Sequence, residues 1–233
     1  MSDQYPYSLR VSKRAKRLQI KINRLAQIEV VSPVQLNQQE VARFLHRHTD
    51  WIARIQQKIL SARPQDKGLS TCPPRDIHFA YLNKTYYVNY VARDKKLRLC
   101  VKQNQITIYA NNDEEKTLAL REFIHQLAKQ ELTACLKKYS LDLRLPYNRV
   151  FIKAQKTRWG SCSSKKNINL NRNLLFLTPT QVQYIIIHEL CHTVHLNHSP
   201  QYWALVSSAF PAYKKVEKSL QYATEKIPLW ALT

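Results

Sequence analysis

The sequence predicts an α+β fold, with a β-rich N-terminal half and a helical C-terminal half. Three observations lead there. Short runs of alternating apolar and polar residues dominate up to about residue 110, as half-buried strands do. Beyond that point apolar residues recur at helical spacing over long windows. The most distinctive stretch, Tyr184 to His198, lies in one of these windows and holds four of the chain's eight histidines. The expected division is residues 1–110, a β-rich region with one long helix, and residues 111–233, which carry the histidine-rich segment.

Residues 7–11, 17–23 and 27–31 alternate as short strands do. Residues 36–61 show helical spacing through Val41, Phe44, Leu45, Trp51, Ile52, Ile55 and Ile59. His46 and His48 fall here, two apart and on different faces, which argues against a metal pair. Arg63 to Arg75 holds three prolines and Gly68 and reads as a linker. Four strand-like runs rich in Tyr, Val and Ile follow to about residue 109. A long helix is expected from about Asp113 to Lys138, with His125 on it as a partly exposed residue. Residues 149–154 and 167–177 look like strands around a turn at Arg158-Trp-Gly-Ser161. A helix from Pro179 to His195 comes next, then a helical stretch from Ser199 to Phe210 with Trp203 and Leu205 packing it down. Pro211 breaks into a last helix of about ten residues, and the tail to Thr233 is weakly patterned.

Within the Pro179–His195 helix stands His188-Glu189-Leu190-Cys191-His192. Residues i and i+4 lie one above the other on a helix, so the two imidazoles can grip one ion. Glu189 is one step round, placed to act on a metal-bound water. Val182, Ile185, Ile186 and Ile187 make an apolar lead-in, and neither spacer residue is charged or a helix breaker. A buried helix carrying His, Glu and His without partners would be costly, which favours the metal reading. Two histidines compete as third ligand. His195, at i+7 from His188, is roughly 10 Å away along a straight helix, too far to share an ion with bonds of about 2.0–2.1 Å. The chain must turn back. Asn197 can take the left-handed conformation that ends a helix, and Pro200 disfavours helix at Ser199. His198 is therefore the better third ligand, and His195 sits beside the site as a supporting or substrate-facing group.

Thr157-Arg-Trp-Gly-Ser-Cys-Ser-Ser164, then Asn167-Ile-Asn-Leu-Asn171, His188-Glu-Leu-x-His192 and Asn197-His-Ser199 with Trp203 together resemble the YgjP-like metallopeptidase-domain family, a bacterial group related to the SprT-like and WLM zincins. Ser12-Lys-Arg-Ala-Lys-Arg17, with Trp51 further on, resembles the start of the same family. The resemblance covers nearly the whole chain and implies a zincin-like hydrolase, with His188, His192 and His198 binding zinc and Glu189 as catalytic base. In zincins a strand ahead of the active helix commonly runs along the cleft and can pair with an extended substrate. Residues 167–170 or 173–177 are the candidates. The chain departs from the family in its early turns, Asn23–Ala26 and Tyr81–Thr85, where glycine is common. With only two glycines, Gly68 and Gly160, asparagine is expected to supply most turns that need positive φ.

Composition sets the outer bounds. At 233 residues and 44% hydrophobic, the chain can bury a proper core. The longest apolar runs fall short of the roughly 20 residues a membrane helix needs, and the N-terminus lacks the apolar region of a secretory signal. Five widely spaced cysteines, an odd count without a CxxC pair, read as reduced thiols in a cytoplasmic protein. Thirty-seven basic against sixteen acidic residues give a net charge of +21. Such an excess favours anionic partners: nucleic acid, nucleotides or an anionic membrane surface. The cations cluster at Lys13–Arg24, Arg93–Lys102 and Lys153–Lys166, the last flanking the Trp159–Cys162 loop. A solvated basic surface without a specific partner accounts for the same counts.

The expected reaction follows from the parts. Zinc on three neutral imidazoles keeps one position open and brings the pKa of its water down from about 15.7 toward 7. Glu189 removes the proton as the hydroxide attacks the scissile carbonyl, then passes it to the leaving amine. A positive group should share the developing oxyanion with zinc. Arg158 is the first candidate and His195 the second. Three functions remain open: a zinc-dependent metallopeptidase, a metal-dependent nucleotide (nucleoside triphosphate) pyrophosphatase using the same water on phosphorus, and a nucleic-acid-associated, SprT-like protease whose binding weakens with salt. Imidazole ligands suit several metals, so manganese or nickel remain compatible with the motif.

Overall fold

The computed structural model describes residues 6–22, 26–61, 72–92, 96–155 and 157–232. Among them the fold is mixed α+β, with six α-helices and ten strands in three small sheets. The chain divides into two compact units, Met1–Lys67 and Gly68–Thr233. Most of the expected Arg63–Arg75 linker lies outside the described residues.

In the first unit, strands β1 (Tyr7–Val11), β2 (Gln19–Ile22) and β3 (Ile28–Ser32) form a sheet ordered β1-β3-β2. Central β3 runs parallel to β1 and antiparallel to β2, and its Ile28 and Val30 face a core shared with Val41, Leu45 and Ile52. Two helices supply those last residues, α1 (Gln38–His46) and α2 (Thr49–Ser61). The single helix expected over 36–61 is therefore broken. His48 N–H donates to the Leu45 carbonyl, and the Thr49 hydroxyl donates to the His46 carbonyl at 2.8 Å. A side chain that satisfies a carbonyl at a helix end competes with continued helix. Apolar spacing alone does not register this.

The second unit begins with β4 (Asp76–Phe79), β5 (Lys84–Val91), β6 (Arg98–Lys102) and β7 (Gln105–Tyr109), ordered β4-β5-β7-β6. The 30-residue α3 (Asp113–Asp142) follows, started by Asn112, whose side chain accepts from Glu115 N–H. Leu120, Ile124, Ala128, Leu132 and Leu136 are fully buried along one stripe, the i, i+4 spacing of a core-facing helix. A second sheet, β8 (Val150–Lys153), β9 (Gly160–Cys162) and β10 (Ile168–Asn171), is ordered β8-β10-β9. A 3-10 turn (Arg172–Phe176) leads into α4 (Pro179–Cys191), α5 (Pro200–Ala209) and α6 (Tyr213–Leu220).

Several expectations change. Residues 173–176 lie in the 3-10 turn and Leu177 caps it, so they offer no strand edge. Residues 168–171 are paired on both sides, with β8 in parallel and β9 antiparallel. The edge of this sheet nearest the histidine helix belongs to β9. Positive φ falls on Ala26, Asn83, Gln103, Arg144 and Lys166; asparagine supplies only one of these, and Asn197 keeps a negative φ. The tail is ordered by contacts remote in sequence. Arg121 Nε donates to the Trp230 carbonyl (2.7 Å) and Arg172 to the Ala231 carbonyl (3.3 Å), while the Trp230 ring lies edge-on to Phe176.

Candidate metal centre and active site

Helix α4 is fixed at its start by local chemistry. Thr178 caps it, accepting from Gln181 N–H, while the Gln181 side chain accepts from Thr178 N–H, with Pro179 at the first helical position. This is a capping box with a proline whose missing N–H costs nothing there. The helix is then apolar nearly all round: Val182, Ile186 and Leu190 are fully buried, and Ile185 and Ile187 nearly so. Such a helix can sit only inside the unit, which carries His188 and Glu189 into the interior.

The helix stops at Cys191, with His192 at its C-cap, short of the expected His195. Thr193 N–H donates to Leu190, and Val194 and His195 N–H both donate to Cys191. These shorter-range bonds consume the orphan carbonyls without a left-handed residue. The chain then bends through 196–198, and Ser199 caps α5, accepting from Tyr202 N–H, with Pro200 following. His198 thus sits just outside a new helix and points back at the old one.

The result brings His188, His192 and His198 together, with one candidate ligand atom of each within 4.8 Å of the others. The Nε2 atoms of His188 and His198 are 3.4 Å apart. Two nitrogens bound tetrahedrally at about 2.0–2.1 Å from one ion are about 3.4 Å apart, so this pair fits a shared cation without adjustment. His192 Nδ1 lies 2.9 Å from the His195 carbonyl. A carbonyl only accepts, so Nδ1 carries the proton and Nε2 keeps its lone pair for a metal. The Tyr184 hydroxyl is 3.4 Å from His188 Nδ1. Burial, then the neighbouring His192 and His198, hold the His188 pKa down to about 3, leaving a neutral imidazole at physiological pH. Tyr202 closes the floor: its ring stacks on His192 at 4.4 Å and its hydroxyl donates to the His188 carbonyl at 3.2 Å.

Glu189 is 6% exposed, and its Oε2 has no hydrogen-bond partner among the described residues. Burial raises its pKa to about 8, against the opposing charge of Arg158. A buried carboxylate without a donor is costly, and it is the residue most in need of an unsupplied partner. Its neighbour across the sheet edge is Gly160 of β9. A Cβ on Gly160 would stand 2.5 Å from Glu189 Oε1 and 2.7 Å from Cγ. The glycine is required by this close approach rather than by its backbone angle.

Asn171 ties the rest together. Its Nδ2 donates to the carbonyls of Gln155 (2.7 Å) and Arg158 (2.9 Å), its Oδ1 accepts from Asn173 N–H, and its own N–H donates to Trp159. It is 3% exposed and holds the Arg158–Gly160 segment against β10. Arg158 is exposed, with its charge felt at Glu189.

Of the residues expected at the site, the structure brings the rings of His188, His192 and His198 together, buries Glu189 on the same helix as the first two, and leaves Arg158 exposed with its charge acting on Glu189. His195 contributes through its backbone carbonyl. Gly160, Asn171, Tyr184 and Tyr202 carry roles that residue-by-residue reading did not assign, although Gly160 and Asn171 stand within the quoted motifs. His46, His48, His78 and His125 do not join the cluster; His48 and His78 have partners of their own in the Phe44 carbonyl and the Thr85 hydroxyl. No described helix is long and apolar enough to cross a membrane.

None of the curated proteins compared matches the chain. Among solved structures, the metallopeptidase zymogen of Pyrococcus abyssi abylysin is 25% identical, matching 42% of this chain and 99% of that one with a TM-score of 0.37. At that score the two superpose only in part. Residues 16–223 match the YgjP-like metallopeptidase domain, nearly the whole chain, and the chain belongs to that family of metal-dependent peptidase domains.

Proposed function

We propose that this chain is a zinc-dependent peptidase in which His188, His192 and His198 hold the metal and Glu189 is the general base. One observation carries the reading: three imidazole nitrogens converge at the end of the helix that bears a buried carboxylate, one of whose oxygens has no partner among the described residues. A set of three neutral imidazoles suits a catalytic zinc with one position left open. When bound there, zinc supplies Lewis-acid polarisation of a carbonyl and acidification of water. The side chains do the rest. Glu189, with its proton affinity raised toward neutral pH, takes the proton from the attacking water at its free oxygen and returns it to the leaving amine. The β9 edge offers backbone groups to an extended substrate. Arg158, exposed at the start of that edge, faces the substrate.

The test is elemental analysis of the purified chain, with peptide turnover measured in parallel. The expected result is one zinc per chain, sharply weakened in His198→Ala. Glu189→Gln should keep its zinc and lose turnover by two or more orders of magnitude, as removal of a general base does. A fully active Glu189→Gln enzyme, or full metal retention without His198, would overturn the assignment.

A further inference from the structure

The segment around the site is distinguished by what it lacks. Between Asp142 and Glu217 lie 74 residues with ten lysines and arginines and a single acidic residue, Glu189. The whole chain has 37 basic and 16 acidic residues in 233. Cations are therefore no denser here than elsewhere; the acids are missing. Within the segment only the buried base is acidic; the next acid, Glu217, is felt at Tyr184 and Tyr202 but not at Cys162 of β9, and a locally positive surface concentrates ligands of the other sign.

Two of these cations are held at the ends of β9. Arg158 precedes the strand, its backbone carbonyl fixed by Asn171. Lys166 follows it, in a turn closed by Lys166 N–H donating to Ser163 (2.8 Å) and Asn148 N–H donating to Lys166 (2.9 Å). Both side chains are exposed. Arg158 acts on the charge of Glu189, and Lys166 on the thiol of Cys162, which also feels Glu189. The two cations thus lie within electrostatic reach of the same short stretch. Among the described residues neither forms an ion pair. Their backbones are anchored while their charged ends stay exposed, free to meet a carboxylate that lies along β9.

Resting on the peptidase reading above, we infer that the preferred substrates are acidic peptide segments, with Asp or Glu side chains near the scissile bond bound by Arg158 on one side of β9 and Lys166 on the other. An extended peptide rises about 3.3 Å per residue, so a three-residue edge spans about 10 Å. Carboxylates within about two residues of the bond on either side come within reach of the two long side chains. Arg158 can grip a carboxylate through paired N–H donors, whereas Lys166 acts as a point charge.

The experiment uses the zinc-loaded full chain and quenched fluorescent peptides that differ only at the flanking positions, as Asp/Glu, Asn/Gln or Lys. The expected result is kcat/KM about tenfold higher for acidic than for neutral peptides at low salt, the scale of a charge-assisted contact, and lower again for lysine. The preference should shrink at about 1 M salt, where the screening length is about 3 Å. The pair Arg158→Glu and Lys166→Glu should invert the order of the acidic and lysine peptides. Equal rates for acidic and neutral peptides would overturn the inference and leave the peptidase reading standing. No cleavage of any peptide by metal-loaded protein would overturn both. Hydrolysis of a nucleoside triphosphate in place of peptides would reassign the cations to phosphate and also overturn it.

Discussion

Substituting Gly160 by alanine tests the closest contact in the site. The new Cβ would lie 2.5 Å from Glu189 Oε1, 2.7 Å from Cγ and 2.8 Å from Cδ, where non-bonded carbons rest at about 3.5–4.0 Å. Three consecutive atoms of one side chain must retreat by about 1 Å. The strand cannot yield cheaply, since Gly160 pairs with Leu170 of β10. Nor can the helix, since Ile186 and Leu190 beside Glu189 are fully buried. The carboxylate is the part that moves. Overpacking of this kind costs about 1–3 kcal/mol, a melting shift of roughly 2–4 °C per kcal/mol in a chain of this size. Displacing a catalytic group by about 1 Å costs about 100-fold in rate. The assay is kcat/KM on one fluorogenic peptide, with zinc content and melting temperature measured on the same preparation. The expected Gly160→Ala protein keeps its zinc, melts a few degrees lower and turns over about 100-fold more slowly. In Gly160→Ala combined with Glu189→Asp, the shorter side chain should recover the stability loss and leave the rate low, so that the two changes are non-additive in stability. Wild-type kcat/KM in Gly160→Ala would refute the claim that this glycine sets the position of Glu189.

Three further outcomes follow from the same geometry. In zinc-stripped protein, the Glu189 pKa is raised from 4.5 to about 8, so the native state holds a proton that the unfolded state releases; stability should fall as pH rises between these values. Glu189→Gln should flatten that part of the profile, gaining about 3–5 kcal/mol above pH 8 and nothing below about pH 4.5, as read from urea midpoints across pH; parallel profiles would show that the carboxylate is solvated. Asn171→Ala should lower the unfolding free energy by about 2–4 kcal/mol, because two carbonyls and one N–H lose their partner, and Asn171→Asp should not rescue it, since only the Oδ1 contact returns. Tyr202→Phe keeps the ring on His192 and loses only the bond to the His188 carbonyl; chelator competition should show less than tenfold weaker zinc binding, with Tyr202→Leu considerably worse, and equal effects would deny the stacked ring a part in holding His192.

The features legible in the sequence are those whose physics is local. The spacing of His188 and His192 fixes a shared helix face whatever surrounds it, and the Ser199-Pro200 start of α5 dictates a turn that returns His198 to that face. The α3 stripe is equally plain, being 30 residues of one period. The misread features depend on partners far away. Strand β9 is three residues, Gly-Ser-Cys, too short to show alternation, whereas the stronger apolar pattern ahead of the helix belongs to β10, which is the centre of its sheet. The tail after Lys226 has little periodicity because two arginines, 109 and 59 residues away, satisfy its carbonyls. Gly160 was conspicuous as one of two glycines, but its reason lies 29 residues on, in the Glu189 side chain that fills the space a Cβ would take.

The arrangement around Glu189 makes sense only if its oxygen is kept for something the chain does not supply. A buried acid among so many cations has an obvious alternative, an ion pair with one of them, which would pull its pKa down and satisfy its oxygens. The fold prevents that. Asn171 holds the Arg158 backbone carbonyl just before β9, where the charge of the arginine reaches Glu189 but no hydrogen bond between them forms. Gly160 lets the carboxylate lie flat against the strand without offering it a side chain. A simple packing role is poorly served by such a site, since glutamine or leucine in the same space would avoid the cost of an orphaned carboxylate. The cost becomes intelligible under the proposed role, in which the free oxygen handles a proton on the helix that also carries two of the three clustered imidazoles.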